Sequence, residues 1–106
     1  METGNVAALF TVQGKHPTQA EWEAALDANW DDAVEELRSN PGFKGIVALW
    51  NSDDSGEVAI IGIWENMERR LAYEARSAEK VRALFDPLFQ RVPNRPRFIV
   101  SRSSLF

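Results

Sequence analysis

The chain has 106 residues, 44% of them apolar, no cysteine and a formal net charge of −4. That length provides for one buried core without room for a second, so residues 1–106 are expected to form a single domain. Lack of cysteine excludes disulfides, thiolate metal sites and a cysteine nucleophile. No apolar run approaches the roughly 20 residues of a bilayer span, and Met1-Glu2-Thr3-Gly4 has neither the basic nor the apolar part of a signal peptide. The expectation is a soluble, cytoplasmic protein with no membrane partner. Charge is unevenly spread: residues 1–42 hold eight acids against Lys15 and Arg38, a balance of −6, and residues 43–106 hold ten bases against eight acids, a balance of +2. The arginines of that second part are scattered, without the basic stripe and interleaved aromatics of a nucleic-acid surface, so no nucleic-acid partner is expected.

Val6 to Gln13 is rich in strand formers and reads as a first strand. Thr18 and Glu21 then form the pattern T-x-x-E of a capping box, which starts a helix. Trp22, Leu26, Trp30, Ala33 and Leu37 recur at three- and four-residue spacing and give that helix one apolar face, while Glu23, Asp27, Asp31, Glu35 and Glu36 form a solvated one. Ser39-Asn40-Pro41-Gly42 stops it, since proline cannot continue the hydrogen-bond ladder and glycine adopts a left-handed cap easily. Two strands follow, Phe43 to Asn51 and Glu57 to Glu65, and the turn formers Asp53 to Gly56 between them predict a hairpin. With a four-residue loop, the register sets Gly45 across from Trp64. Asn66 is placed to cap a helix from Met67 to about Arg76, and Ser77 a further one in which Val81, Leu84, Phe85 and Leu88 share a face; Pro87 kinks or ends it. Arg97 to Leu105 reads as a last strand.

This order is β-α-β-β-α-β with the second helix split. It predicts an α+β, ferredoxin-like fold with helices on one face of a four-stranded antiparallel sheet. Along the third strand Val58, Ile60, Gly62 and Trp64 point one way, and Ala59, Ile61 and Ile63 the other. Both faces are apolar, whereas a sheet with one face in water alternates apolar and polar residues. The helices cover one face only, so a homodimer joined sheet to sheet is expected to cover the other.

Over nearly the whole chain the sequence resembles the antibiotic biosynthesis monooxygenase family of the dimeric α/β-barrel superfamily. The resemblance is carried by "NPGFKGIVALW", the hairpin "NSDDSGEVAIIGIWENMERRLAY", a helix ending in "LFDPLF" and a closing strand. It implies a cofactor-independent monooxygenase that uses neither metal nor flavin and binds an aromatic or polyketide-type molecule between sheet and helices. It also implies a substrate-contacting tryptophan at the end of the third strand, which is Trp64. Where that family has an asparagine four residues earlier and a tyrosine six residues later, Ile60 and Arg70 stand. The haem-degrading branch of the superfamily has a tryptophan where Tyr73 lies and a histidine ligand further on, where "EKVRALF" contains none.

Four residues are candidates for a ligand site. Trp64, beside Gly62 and the Gly45 set opposite, either folds over the glycines as packing or walls a small apolar pocket. Asn29 lies at the margin of the first helix's apolar stripe, half-exposed or with its amide in a pocket. Tyr73 falls on the flank of its helix, away from Met67 and Leu71, as a surface aromatic or a proton donor. Arg102 shares the parity of Phe98 and Val100, and is either a strand-end cation in solvent or an anion-binding group. His16, the one histidine, precedes a proline in a turn; with Tyr73 it is a nominee for an acid or base if the scaffold carries an isomerase. The alternative to catalysis is a dimeric ligand-binding or accessory module whose tryptophans are structural.

Overall fold

A computed structural model describes residues 1–106. The elements run β1 (Val6–Gln13), α1 (Gln19–Asp27), α2 (Trp30–Arg38), β2 (Phe43–Trp50), β3 (Glu57–Trp64), α3 (Met67–Arg76), α4 (Ala78–Phe85), a 3₁₀ turn at Asp86–Leu88, and β4 (Arg97–Ile99). The strands form one antiparallel sheet in the order β2-β3-β1-β4, the ferredoxin-like arrangement that the element order predicts. Val6, Val12, Val58, Ile60 and Trp64 from the sheet pack against Trp22, Leu26, Leu37, Tyr73, Val81, Phe85 and Leu88 from the helical layer to form the core. Burying so much aliphatic and aromatic surface is the main favourable term in folding, worth about 25 cal/mol per Å² removed from water.

The first helix is two helices, where the spacing predicts one. Asn29 sits between them with φ −130° and ψ 1°, and no hydrogen bond of its side chain caps α2. The backbone N–H of Asn29 donates to the Leu26 carbonyl. Asparagine is a poor helix former, and a break at this point lets Trp30 turn onto Phe85, with ring centroids 6.1 Å apart. The periodicity runs straight through Asn29 because both halves bury the same side. The Thr18 hydroxyl accepts from the Glu21 N–H as predicted.

The end of α2 is sealed by Asn40, whose side-chain amide donates to the carbonyls of Glu36 and Leu37 at 2.9 and 3.4 Å. Gly42 has φ +84°, and a Cβ there would lie 2.5 Å from Cγ of Arg69. Only glycine fits this backbone under the start of α3.

The hairpin register differs from the predicted one at both ends. Asn51 N–H donates to the Glu57 carbonyl, and Trp50 pairs with Val58, so the loop is one residue longer than expected. Hydrogen bonds from the Asp53 and Ser55 N–H groups to the side chains of Asn51 and Asp53 hold that wider turn. At the other end Lys44 is bulged out, so that Phe43 pairs with Trp64 and Gly45 with Ile63. Gly45 does not oppose Trp64; Phe43 does.

β4 is shorter than Arg97 to Leu105. Val100 still exchanges backbone hydrogen bonds with Gly4 and Asn5, but β1 ends there and residues 101–106 have no strand beside them. Arg102 therefore lies outside the sheet, exposed.

Candidate functional site

Trp64 ends β3 fully buried. Its ring is stacked on Tyr73 of α3, with centroids 4.6 Å apart and planes at 30°, and Phe43 meets it edge-on at 5.2 Å. Tyr73 reaches it because α3 turns Arg70 and Tyr73 inward, one turn apart, while Leu71 stays 46% exposed. The inward face is thus rotated from the Met67–Leu71 side on which the sequence reading placed it, and Tyr73 is buried rather than on the flank.

In front of these rings is a cavity of about 50 Å³. Its apolar walls are Ala8, Phe10, Ile46 and Ile60 of the sheet and Leu37, Val81 and Phe85 of the helices, with Trp64 and Tyr73 at one end. Gly62 forms part of the floor, where a Cβ would lie 3.7 Å from the indole Nε1. That Nε1 is buried and makes no hydrogen bond. Such a donor costs about 1–3 kcal/mol when nothing accepts from it.

Three arginines line the same cavity: Arg70 from α3, Arg82 from α4 and Arg95 from the link before β4. Arg70 is 5% exposed, with its guanidinium carbon 5.0 Å from the Tyr73 ring centre and 6.0 Å from that of Trp64. Its Nε donates to Glu74 at 2.6 Å, and its terminal amino groups have no partner in the protein. Glu74 also accepts from Arg97 at 3.0 and 3.2 Å. Burial pulls the Glu74 carboxyl upward, but hydrogen bonding and charge from Arg70 and then Arg97 outweigh it and hold the group below its ordinary value. Arg95 donates to Asp86 and covers the Phe10 ring at 5.4 Å. Desolvation lowers its pKa, with Asp86 opposing. Burial pushes the Tyr73 phenol up, against the pull of Arg70, Arg82 and Arg95. At neutral pH Tyr73 is therefore a hydroxyl donor. Every polar side chain among the lining residues can donate, and neither a carboxylate nor an imidazole is among them.

The structure brings Trp64 and Tyr73 together and leaves the other two candidates apart. Asn29 stands half-buried at the α1–α2 break, Arg102 is in solvent, and neither lines the cavity; nor does His16, in the turn after β1. Sequence reasoning missed Arg82 and Arg95, and reached Arg70 only as the residue in place of a tyrosine. The three are on separate elements, and the one local signal is the three-residue spacing of Arg70 and Tyr73.

The family described as antibiotic biosynthesis monooxygenase matches residues 9–85. The chain belongs to this family. The matched span contains the whole Trp64–Tyr73 pair along with Arg70 and Arg82. Among solved structures, the chain is similar to SnoaB, a cofactor-independent oxygenase from Streptomyces nogalater, at 16% identity over 96% of this chain and 97% of that one, with a TM-score of 0.69. It is also similar to a protein from Mycobacterium tuberculosis at 15% identity over 95% and 99%, TM-score 0.65, and to a protein of unknown function from Nitrosomonas europaea at 17% over 99% and 97%, TM-score 0.66. At such identities these likenesses speak for the fold. No curated protein sequence matches the chain. No helix is long and apolar enough to cross a membrane.

Proposed function

We propose that this antibiotic biosynthesis monooxygenase family member binds a small aromatic molecule in the Trp64–Tyr73 cavity and oxidises it without a cofactor. The observation that carries the reading is the indole N–H of Trp64, which is buried, unpartnered and beside a cavity that Gly62 keeps open. An acceptor arriving with a ligand removes the cost of that orphan donor. The chemistry suited to such a site begins with a deprotonated, electron-rich ring, which reduces dioxygen itself. The ring carbon opposite the phenolate oxygen exchanges its hydrogen for one oxygen atom, and the second oxygen leaves as water with that hydrogen and the phenolic proton. The protein's part is to stabilise the substrate oxyanion with fixed donors and to exclude water with apolar walls. A cavity of about 50 Å³ is small beside the roughly 300–1,000 Å³ of drug-sized sites. Single-ring phenols suit it better than three-ring polyketides.

The test is tryptophan fluorescence titration with phenols and hydroxylated anthracenes, followed by oxygen uptake with any compound that binds. Saturable quenching that weakens in Trp64→Phe, together with uptake dependent on the compound, is the expected result. Absence of a base from the cavity lining favours a second reading, a binding module without catalysis. Binding with no oxygen consumed at any pH between 6 and 9 selects it.

We further infer a homodimer. The sheet face away from the helices carries Leu9, Val47, Leu49, Ile61 and Phe98, and Val47, Leu49 and Phe98 are 46%, 45% and 51% exposed. A second copy laid sheet to sheet removes this patch from water. Light scattering at micromolar concentration should give twice the chain mass, and Ile61→Asp should give a monomer; a wild-type monomer overturns the inference.

A further inference from the structure

The polar inventory of the cavity is unbalanced. Around it stand the guanidiniums of Arg70, Arg82, Arg95 and, behind Glu74, Arg97; the carboxylates that answer them are Glu74 and Asp86 alone. Arg82 has neither ion pair nor hydrogen bond in the protein. This excess of positive charge is local, in a chain whose net charge is −4. Glu74 takes only the Nε–H of Arg70, which leaves the terminal amino groups open to solvent or to a ligand. Four guanidiniums against two carboxylates favour an anionic ligand, and its shape is constrained. A forked guanidinium matches two coplanar oxygens. Nine of the thirteen lining residues are hydrophobic, which suits a ligand with an apolar body and opposes a hydrated dianion such as phosphate.

We propose that the cavity is a carboxylate site, which takes a small planar monocarboxylate with at most one ring. Its oxygens are received by the free amino groups of Arg70, by Arg82 and by the Trp64 indole N–H, and its body lies among the apolar walls. The proposal rests on the reading of this cavity as the ligand site and narrows the ligand from aromatic molecules in general to acids. A ligand of this class enters already ionised at neutral pH, so its binding asks for no base from the lining.

The experiment is titration of the full chain, by tryptophan fluorescence and calorimetry, with benzoate, its neutral isostere benzamide, phenol and inorganic phosphate. Two variants accompany the wild type. Arg82→Met removes a cation that pairs with nothing in the protein. Gly62→Ala adds a methyl 3.7 Å from the indole Nε1, at a strand position where alanine is no strain. Benzoate should bind at least about tenfold more tightly than benzamide, the discrimination expected for hydrogen bonds to a charged group. Each variant should weaken benzoate by about tenfold while melting at the wild-type temperature. Benzamide binding as well as benzoate, phosphate competing as well as benzoate, or benzoate indifferent to both variants overturns the proposal. Phenol binding without benzoate overturns it and leaves the aromatic reading standing; no binding by either overturns both.

Discussion

Two polar clusters lie on the helix side of the sheet, and their hydrogen-bond balance is opposite. Where α2 meets α3 and α4, the buried Ser77 hydroxyl donates to Glu36 at 2.8 Å, the Asn40 amide donates to Ser77 at 3.1 Å and to the last carbonyls of α2, and Arg76 closes the set on Ser39 and Asn40 at 2.9 and 3.2 Å. Donors and acceptors are matched there. At the end of β3 the indole N–H, the Tyr73 hydroxyl and the free amino groups of Arg70 find no acceptor in the chain. A matched network holds helices in place, and its groups are spent on one another. An unmatched set of donors is stable only beside something that accepts from them. Burial alone does not tell the two apart, since Ser77 and Tyr73 are both almost fully enclosed.

Substitutions should therefore divide between stability and binding according to the cluster they touch. Asn40→Ala frees the Glu36 and Leu37 carbonyls and breaks the link to Ser77, and is expected to destabilise the chain by about 2 kcal/mol in urea unfolding. Ser77→Ala removes one hydroxyl from the same network, and about 1 kcal/mol is expected. Tyr73→Phe deletes a hydroxyl that makes no hydrogen bond in the protein, so unfolding should shift by less than about 0.5 kcal/mol while ligand affinity falls. A Tyr73→Phe loss as large as that of Asn40→Ala would erase the distinction.

Acid gives a gentler probe of both clusters. The Glu36 carboxyl is held low by the Ser77 hydroxyl above all, with Ser39 and Lys80 assisting against burial. Glu74 is likewise low in the folded chain. A depressed carboxyl contributes stability that is present above its unfolded value, near 4.3, and is lost as pH falls through the folded one. Melting temperatures should thus hold from pH 7 to about 5 and then decline. Ser77→Ala should flatten the part of that decline due to Glu36, and Glu74→Gln the part due to the site.

Much of the fold was legible because strands and turns write themselves locally. Runs of strand formers mark β1 and β3, and Thr18, Asn40, Gly42 and Asn66 each act at an element's end through their own backbone or side chain. The break at Asn29 was not legible, since Trp22, Leu26, Ala33 and Leu37 keep one phase across it. Ser77 looked like a helix cap and is instead a tie to Glu36, 41 positions away, a partnership that no local pattern encodes. Trp64 stood out by its place at a strand end, but the neighbour read for it, Gly45, gives way to Phe43 because of the bulge. The arginines could not be read, because Arg70, Arg82 and Arg95 meet only after three elements have packed.

The bulge at Lys44 has a consequence for insertions and deletions. A strand counts in twos, so the wider hairpin loop by itself would turn Lys44 toward Trp64 and send Phe43 to the opposite side. The extra residue restores the count, keeping an ammonium out of the aromatic wall and setting a phenyl ring in its place. Deleting Lys44 leaves a regular ladder with Phe43 still against Trp64, whereas deleting Ile46, two positions on, absorbs the same bulge but sets Gly45 in the cavity wall where Ile46 stood. Along this one strand the bulge absorbs a lost residue, and the cost is set by which side chain the wall loses.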